Sequence, residues 1–174
     1  PREVIDLMTH VIFESIKDKL PPVMTIYDGA CGSGGMLTES QNFIKDEDGI
    51  IKAKGDVYLY GKEINDETYA ICKSDLLIKG QNASNIKKGN SISEDQLSNE
   101  KFDYLITNPP FGVKWEKFGK KVKEEHEQLG HGGRFGAGLP SVSDGSFLFL
   151  MHLMSKMKPA EQGGSRLASA SNAG

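Results

Sequence analysis

Eleven residues constrain this chain more than any others: Tyr27-Asp28-Gly29-Ala30-Cys31-Gly32-Ser33-Gly34-Gly35-Met36-Leu37. The apolar run Val23-Met24-Thr25-Ile26-Tyr27 leads in with the character of a strand, and four glycines then fall within seven positions. Glycines at that density leave no Cβ atoms to hold a ligand off the backbone, and they permit positive φ. The stretch therefore reads as a strand-to-helix loop that cradles a cofactor. The plain alternative is a glycine-rich turn that binds nothing.

Two details bear on the ligand. A dinucleotide fingerprint needs G-x-G-x-x-G, whereas Gly32-Ser33-Gly34 runs on into Gly35-Met36-Leu37 and misplaces the third glycine. Asp28, four residues before Gly32, would repel a pyrophosphate and suits a cationic ligand. Asp-x-x-x-Gly-x-Gly after a first strand resembles motif I of S-adenosylmethionine-dependent methyltransferases, whose ligand carries an ammonium and a sulfonium.

Apolar periodicity predicts a helix over residues 2–20, with Val4, Ile5, Met8, Val11, Ile12 and Ile16 inward, stopped by Pro21-Pro22. Strands are predicted at 23–27, 56–61, weakly at Asn85-Ile86, and at 102–107. Helices fall between them, from Gly35 to about Lys45 and from Asp66 to about Ile78, the latter with Tyr69, Cys72, Leu76 and Leu77 inward. Alternation of this kind implies an α/β fold of βαβ units with a mostly parallel sheet, residues 23–107 forming a cofactor-binding core. From Gly112 to Pro140 the pattern breaks down among seven glycines and a charged middle, which reads as a mobile loop. Ser143-Asp144-Gly145-Ser146 then offers N-cap residues for an apolar helix over 147–157, and 166–169 starts a fifth strand.

A second constellation, Thr107-Asn108-Pro109-Pro110-Phe111-Gly112, follows the fourth strand. In an open parallel sheet ligands sit beyond the carboxyl ends of the strands, near the switch point, so this stretch and the glycine loop should share a crevice. Two prolines lock φ and remove N–H donors, leaving a rigid corner that displays acceptors, the Asn108 side-chain oxygen and the Pro109 carbonyl. Acceptors gripping the two hydrogens of an aromatic amine would localise its lone pair and aim it at an electrophilic methyl. Phe111 offers a flat face for a base, worth about 1–3 kcal/mol per base, against the few kcal/mol needed to extrude one. A Pro-Pro turn with a core phenylalanine is the ordinary alternative.

Asn-Pro-Pro-Phe resembles motif IV of the amino-methyltransferases that act on adenine in DNA. The longer phrases Asp28 to Leu37, Gly61-Lys62-Glu63-Ile64-Asn65 and Ser143 to His152 are similar to the modification subunit of type I restriction-modification systems, and the match runs from Pro1 to about Gly164. The resemblance implies a class I, Rossmann-like methyltransferase fold, seen here as part of a catalytic domain that continues past the fifth strand. It implies S-adenosylmethionine as cofactor, a flipped adenine in DNA as substrate, and the specificity and restriction subunits of the same system as partners. It places Asn108, Pro109, Pro110 and Phe111 at the chemistry. Arg2 and Glu3 of the first helix would hold the methionine end. Asp28, Gly29, Ala30, Gly32, Ser33, Gly34, Gly35, Met36 and Leu37 would line the methionine and ribose, with Asn108 also beside the cofactor. Glu63 would accept both ribose hydroxyls, Ile64 would lie against the cofactor adenine, and Asn90 would contact it. Cytosine N4 or a protein glutamine remains open as the methyl acceptor, as does a cofactor-binding fragment without catalysis of its own.

The net charge of −3 argues against a nucleic-acid coat over the whole surface, so DNA contact would be local or supplied by a partner. Lys114, Lys117, Lys120, Lys121 and Lys123, interleaved with Trp115 and Phe118, either meet phosphates and unstacked bases or, diluted by Glu116, Glu124, Glu125 and Glu127, form a solvated segment. Cys31 and Cys72 support neither a disulfide framework nor a metal site, and no apolar run is long enough to span a membrane; a reducing cytoplasm is expected. His126 and His131 read as solvated, while His152, Met151, Met154 and Met157 read as core filling.

Overall fold

The computed structural model describes residues 2–110, 112 and 114–170. Its centre is a parallel sheet of β1 (Val23–Asp28), β2 (Asp56–Glu63), β3 (Ile86–Lys88), β4 (Tyr104–Thr107) and β5 (Arg166–Ser169), in the order β3-β2-β1-β4-β5. The chain winds outward from β1 through β2 to β3 and then crosses back to β4. The carboxyl ends of β1 and β4 therefore face each other at the switch point, where a crevice must open.

Side chains alternate across the sheet and build two cores. Met24, Ile26, Val57, Leu59, Tyr104 and Ile106 face helices α1 (Arg2–Phe13), α2 (Gly35–Lys45) and α3 (Asp66–Ile78) through Ile12, Phe13, Leu37, Ile44, Cys72 and Leu76. Tyr27 and Leu105 point the other way, toward helix α5 (Gly145–Ser155) and its Leu148, Phe149 and Leu153. Asn65 caps α3 by accepting from the amides of Glu67 and Thr68, and Asp144 caps α5 through the amide of Phe147.

Several expectations need correction. The first helix ends at Phe13 and tightens into a 3₁₀ run over Glu14–Lys19, and Val11, expected inward, is exposed because it turns away from the sheet. Leu77 and Met154 also lie on solvent-facing sides of their helices. Part of the second core's remaining cover comes from the stretch read as a mobile loop. Residues 112–140 contain helix α4 (Gly119–Leu129), flanked by 3₁₀ turns, and bury Trp115, Val122 and Phe135 in the second core. Its high charge masked the pattern: Val122 is the one apolar side chain that α4 buries, and it suffices because the sheet face beneath needs covering. Trp115 donates its indole N–H to Ser141 O at 2.8 Å, so it is anchored inside and not offered to a base. His126 likewise is half-buried, bonded to Phe135 O at 2.7 Å. Val122→Ala is expected to lower unfolding free energy by about 2 kcal/mol in urea titrations; no change would show that α4 contributes nothing to the fold.

Candidate functional site

A cavity of about 360 Å³ opens at the switch point. Gly29 and Ala30 of the glycine loop, Lys62, Glu63 and Ile64 at the end of β2, Gly89 to Ile92 after β3, Asn108 and Pro110 after β4, and Gly145, Ser146 and Phe149 of α5 line it. The two loops singled out by sequence thus meet, and α5 closes the third side.

The glycine loop is held by its own neighbours. Gly29 N donates to Thr107 Oγ1 at 3.0 Å, Ala30 N to Asp28 Oδ1 at 3.0 Å, Cys31 N to Lys62 O at 2.9 Å, Gly32 N to Glu63 Oε2 at 2.7 Å and Gly34 N to Cys31 O at 2.8 Å. Two of these acceptors are carboxylates. Gly34 stands at φ +91° as the N-cap of α2, and a Cβ there would meet Cys72 Sγ at 2.9 Å, so both conformation and space demand glycine. The free thiols of Cys31 and Cys72 fill the space beneath, 4.0 Å apart.

Asp28 lies under the loop, buried, with Thr107 donating its hydroxyl to Oδ1 at 2.6 Å. Burial pushes its carboxyl up to about 6 from an ordinary 3.8, although the bonds from Thr107 and Ala30 pull it down. A folded-state value above the unfolded one favours folding at low pH: the contribution is full below about pH 4 and is lost as pH rises through about 6. Its size is ~3 kcal/mol. In chemical denaturation of the ligand-free protein, Asp28→Asn should flatten that window; an unchanged pH profile would show that Asp28 titrates normally.

Glu63 sits at the mouth with Oε1 accepting from Asn65 N at 2.7 Å while Oε2 holds Gly32. One carboxylate therefore fixes the loop and the turn into α3 at once, and each oxygen keeps a lone pair for a ligand. Burial lowers the Lys62 ammonium to about 8, and its Nζ is engaged by the carbonyls of Asn90 and Glu94.

The remaining predicted residues are distributed more widely. Asn90 lines the cavity, but its side chain caps the next turn by accepting from Ile92 N at 2.8 Å and Ser93 N at 3.1 Å. Ile64 is exposed on the rim. Asn108 and Pro110 face the cavity, whereas Pro109 lines an adjoining groove with Met8 and Val11 of α1. Phe111 lies outside the described residues. Ser33 is exposed, Gly35 begins α2, and the side chains of Met36 and Leu37 belong to the core. Arg2 and Glu3 are exposed on α1 and do not line the cavity; Arg2 pairs with Glu39 at 3.8 Å. Sequence reasoning missed Thr107 as the pivot between Asp28 and Gly29, and Gly145, Ser146 and Phe149 as wall. The phrase Ser143 to His152 was the available signal for the latter three. No group of three or more metal-ligating side chains gathers among the described residues, and no described helix is long and apolar enough to cross a membrane.

The order β3-β2-β1-β4-β5, with an acidic glycine loop at the switch point, is the architecture of class I S-adenosylmethionine-dependent methyltransferases. The chain superposes on the methyltransferase subunit of a type I restriction-modification system from Streptococcus thermophilus with a TM-score of 0.73 at 24% identity, covering 98% of this chain and 33% of that one. It belongs to the N-6 DNA Methylase family, whose model matches residues 1–168. The methylase subunit of the type I restriction enzyme MjaVII of Methanocaldococcus jannaschii is 33% identical over 115 residues, 65% of this chain and 18% of that protein. That of HindI from Haemophilus influenzae is 28% identical over 137 residues, 77% of this chain and 28% of that protein. The chain thus spans less than a third of these relatives.

Proposed function

We propose that this chain forms the methyl-donor side and the amine-gripping loop of a methyltransferase that acts on the adenine N6 amine in DNA. The protein containing it would serve as the modification subunit of a type I restriction-modification system, alongside specificity and restriction subunits. The observation that carries the choice of cofactor is the occupation of the glycine loop's amides. Five of them, at residues 29, 30, 31, 32 and 34, already have protein acceptors. A pyrophosphate needs such amides free, and it would meet the Asp28 and Glu63 carboxylates instead. Lys62, the cation in the cavity wall, is turned onto carbonyls. Acceptors predominate, which suits a ligand with ribose hydroxyls, an ammonium and a sulfonium.

S-adenosylmethionine fits this donor set and, when bound, supplies a methyl group on positively charged sulfur. Glu63 would accept the ribose hydroxyls through its spare lone pairs. Ile64 and Phe149 provide apolar walls for the adenine, and Asp28 shapes the loop and lends negative potential below the cationic end. Asn108 would accept from the target amine and hold its lone pair toward the methyl. Much of the barrier lowering then comes from positioning, an effect of about 7–11 kcal/mol at best. Methylation of DNA fits the family and the type I methylase subunits among the relatives.

Isothermal titration with S-adenosylmethionine, followed by radiolabelled methyl transfer from the full-length protein and its partners to DNA or to protein, tests this reading. Binding together with label in DNA adenine is expected. No binding by a folded sample, or label in protein or cytosine alone, would overturn it.

A further inference from the structure

One wall of the cavity has no regular structure to hold it. Between β3 and β4 no helix or strand intervenes, yet the turn from Asn90 to Ile92 lines the cavity. The Asn90 side chain and the bond from Glu94 N to Asn90 O hold the turn from within, while the carbonyls of Ser91 and Ile92 need donors from elsewhere in the fold.

Arg134, which follows α4, supplies that grip. Its side chain is 9% exposed. Nη1 donates to Ser91 O at 2.7 Å and to His152 Nδ1 at 3.0 Å; Nη2 donates to Ile92 O at 2.9 Å and to Glu125 Oε2 at 2.6 Å; Nε donates to Glu125 Oε1 at 3.0 Å. A guanidinium has five N–H bonds, and all five are used. Because Arg134 can only donate, His152 must accept at Nδ1 and carry its proton on Nε2, which meets the Tyr27 hydroxyl at 2.8 Å. Ser91 in turn donates its hydroxyl to Gly29 O at 2.5 Å, joining the same turn to the glycine loop.

We propose that Arg134 is a positioning residue for the cofactor wall, setting the Asn90–Ile92 turn and, through Ser91, the glycine loop, and linking both to α4 by way of Glu125. The proposal rests on the reading that this cavity holds S-adenosylmethionine. Lysine cannot replace Arg134, since three donors on one nitrogen cannot span two carbonyls, a carboxylate and an imidazole.

The test uses the full-length protein in wild-type, Arg134→Lys and Glu125→Gln forms, measuring cofactor affinity by calorimetry and amide exchange by mass spectrometry. Arg134→Lys should weaken S-adenosylmethionine binding about tenfold or more, with exchange rising at Ile92 and Ser93 and unchanged in α2 and β1. Glu125→Gln, which leaves both carbonyl contacts in place, should weaken it less. Arg134→Lys that binds within about twofold of wild type overturns the proposal, as does a rise in exchange spread evenly through the fold. Wild-type protein that does not bind overturns the cavity reading and this proposal with it.

Discussion

Replacing Asn108 by alanine is expected to slow methyl transfer to DNA by about a thousandfold or more while cofactor affinity stays within about twofold. The estimate follows from geometry. Asn108 stands at the carboxyl end of β4 with its side chain exposed at the cavity wall, and the glycine loop is tied to Thr107, Asp28 and Glu63, none of which needs Asn108. On the proposed reading Asn108 is an acceptor for the target amine, and removing it would forfeit roughly half, on a logarithmic scale, of a positioning effect that reaches about 10⁵–10⁸. Single-turnover transfer of radiolabelled methyl, beside calorimetry with the cofactor, separates the two quantities. Affinity that collapses along with activity would move Asn108 from the acceptor side of the site to the cofactor side.

Glu63→Ala carries the second large effect, and it should strike binding and stability together. The substitution removes the acceptor for Gly32 N and for Asn65 N in one step. Both amides are part-buried and can regain water, so each lost bond costs about 0.5–1.5 kcal/mol and unfolding free energy should fall by roughly 1–3 kcal/mol. If Glu63 holds the ribose as proposed, S-adenosylmethionine affinity should drop by at least about a hundredfold, since the loop also loses its clamp; each bond to a charged acceptor is worth about 1.5–3 kcal/mol. Glu63→Gln sharpens the experiment, because a glutamine keeps one acceptor oxygen and presents a donor to the other amide. It should retain more stability than alanine yet still bind weakly. If Glu63→Gln binds cofactor like wild type, the carboxylate serves the fold alone.

The sheet and the meeting of two loops were legible because they rest on local signals. Strand β1 announces itself by an apolar run ending in glycines, and Asn108-Pro109-Pro110 by backbone restriction that any context must respect. Alternation of strand and helix then sufficed to bring their ends together. The second core was not legible in the same way. Trp115, Val122 and Phe135 lie far apart among lysines and glutamates, and only the uncovered face of β1 and β4 makes them inward residues. The same holds for Arg134. In sequence it is one arginine in a glycine-rich stretch; its role depends on carbonyls more than forty residues earlier, a relation with no spacing to read. Val11 and Leu77 failed for the opposite reason, since they satisfy a helical period whose stripe is wider than the face actually buried.

The saturated amides of the glycine loop also bear on how such a site can change. Freeing the amides at 29, 30 and 32 for a phosphate would require altering Thr107 on β4, Asp28 on β1 and Glu63 on β2. Any one of these changes alone leaves a donor without its acceptor, buried at Gly29 and part-buried at Ala30 and Gly32, without creating an anion site. A lineage stepping from one ligand chemistry to the other by single substitutions would pass through proteins that hold neither ligand. Three strands therefore act as one inherited character, and the ligand class of this loop should drift far more slowly than the residues around it.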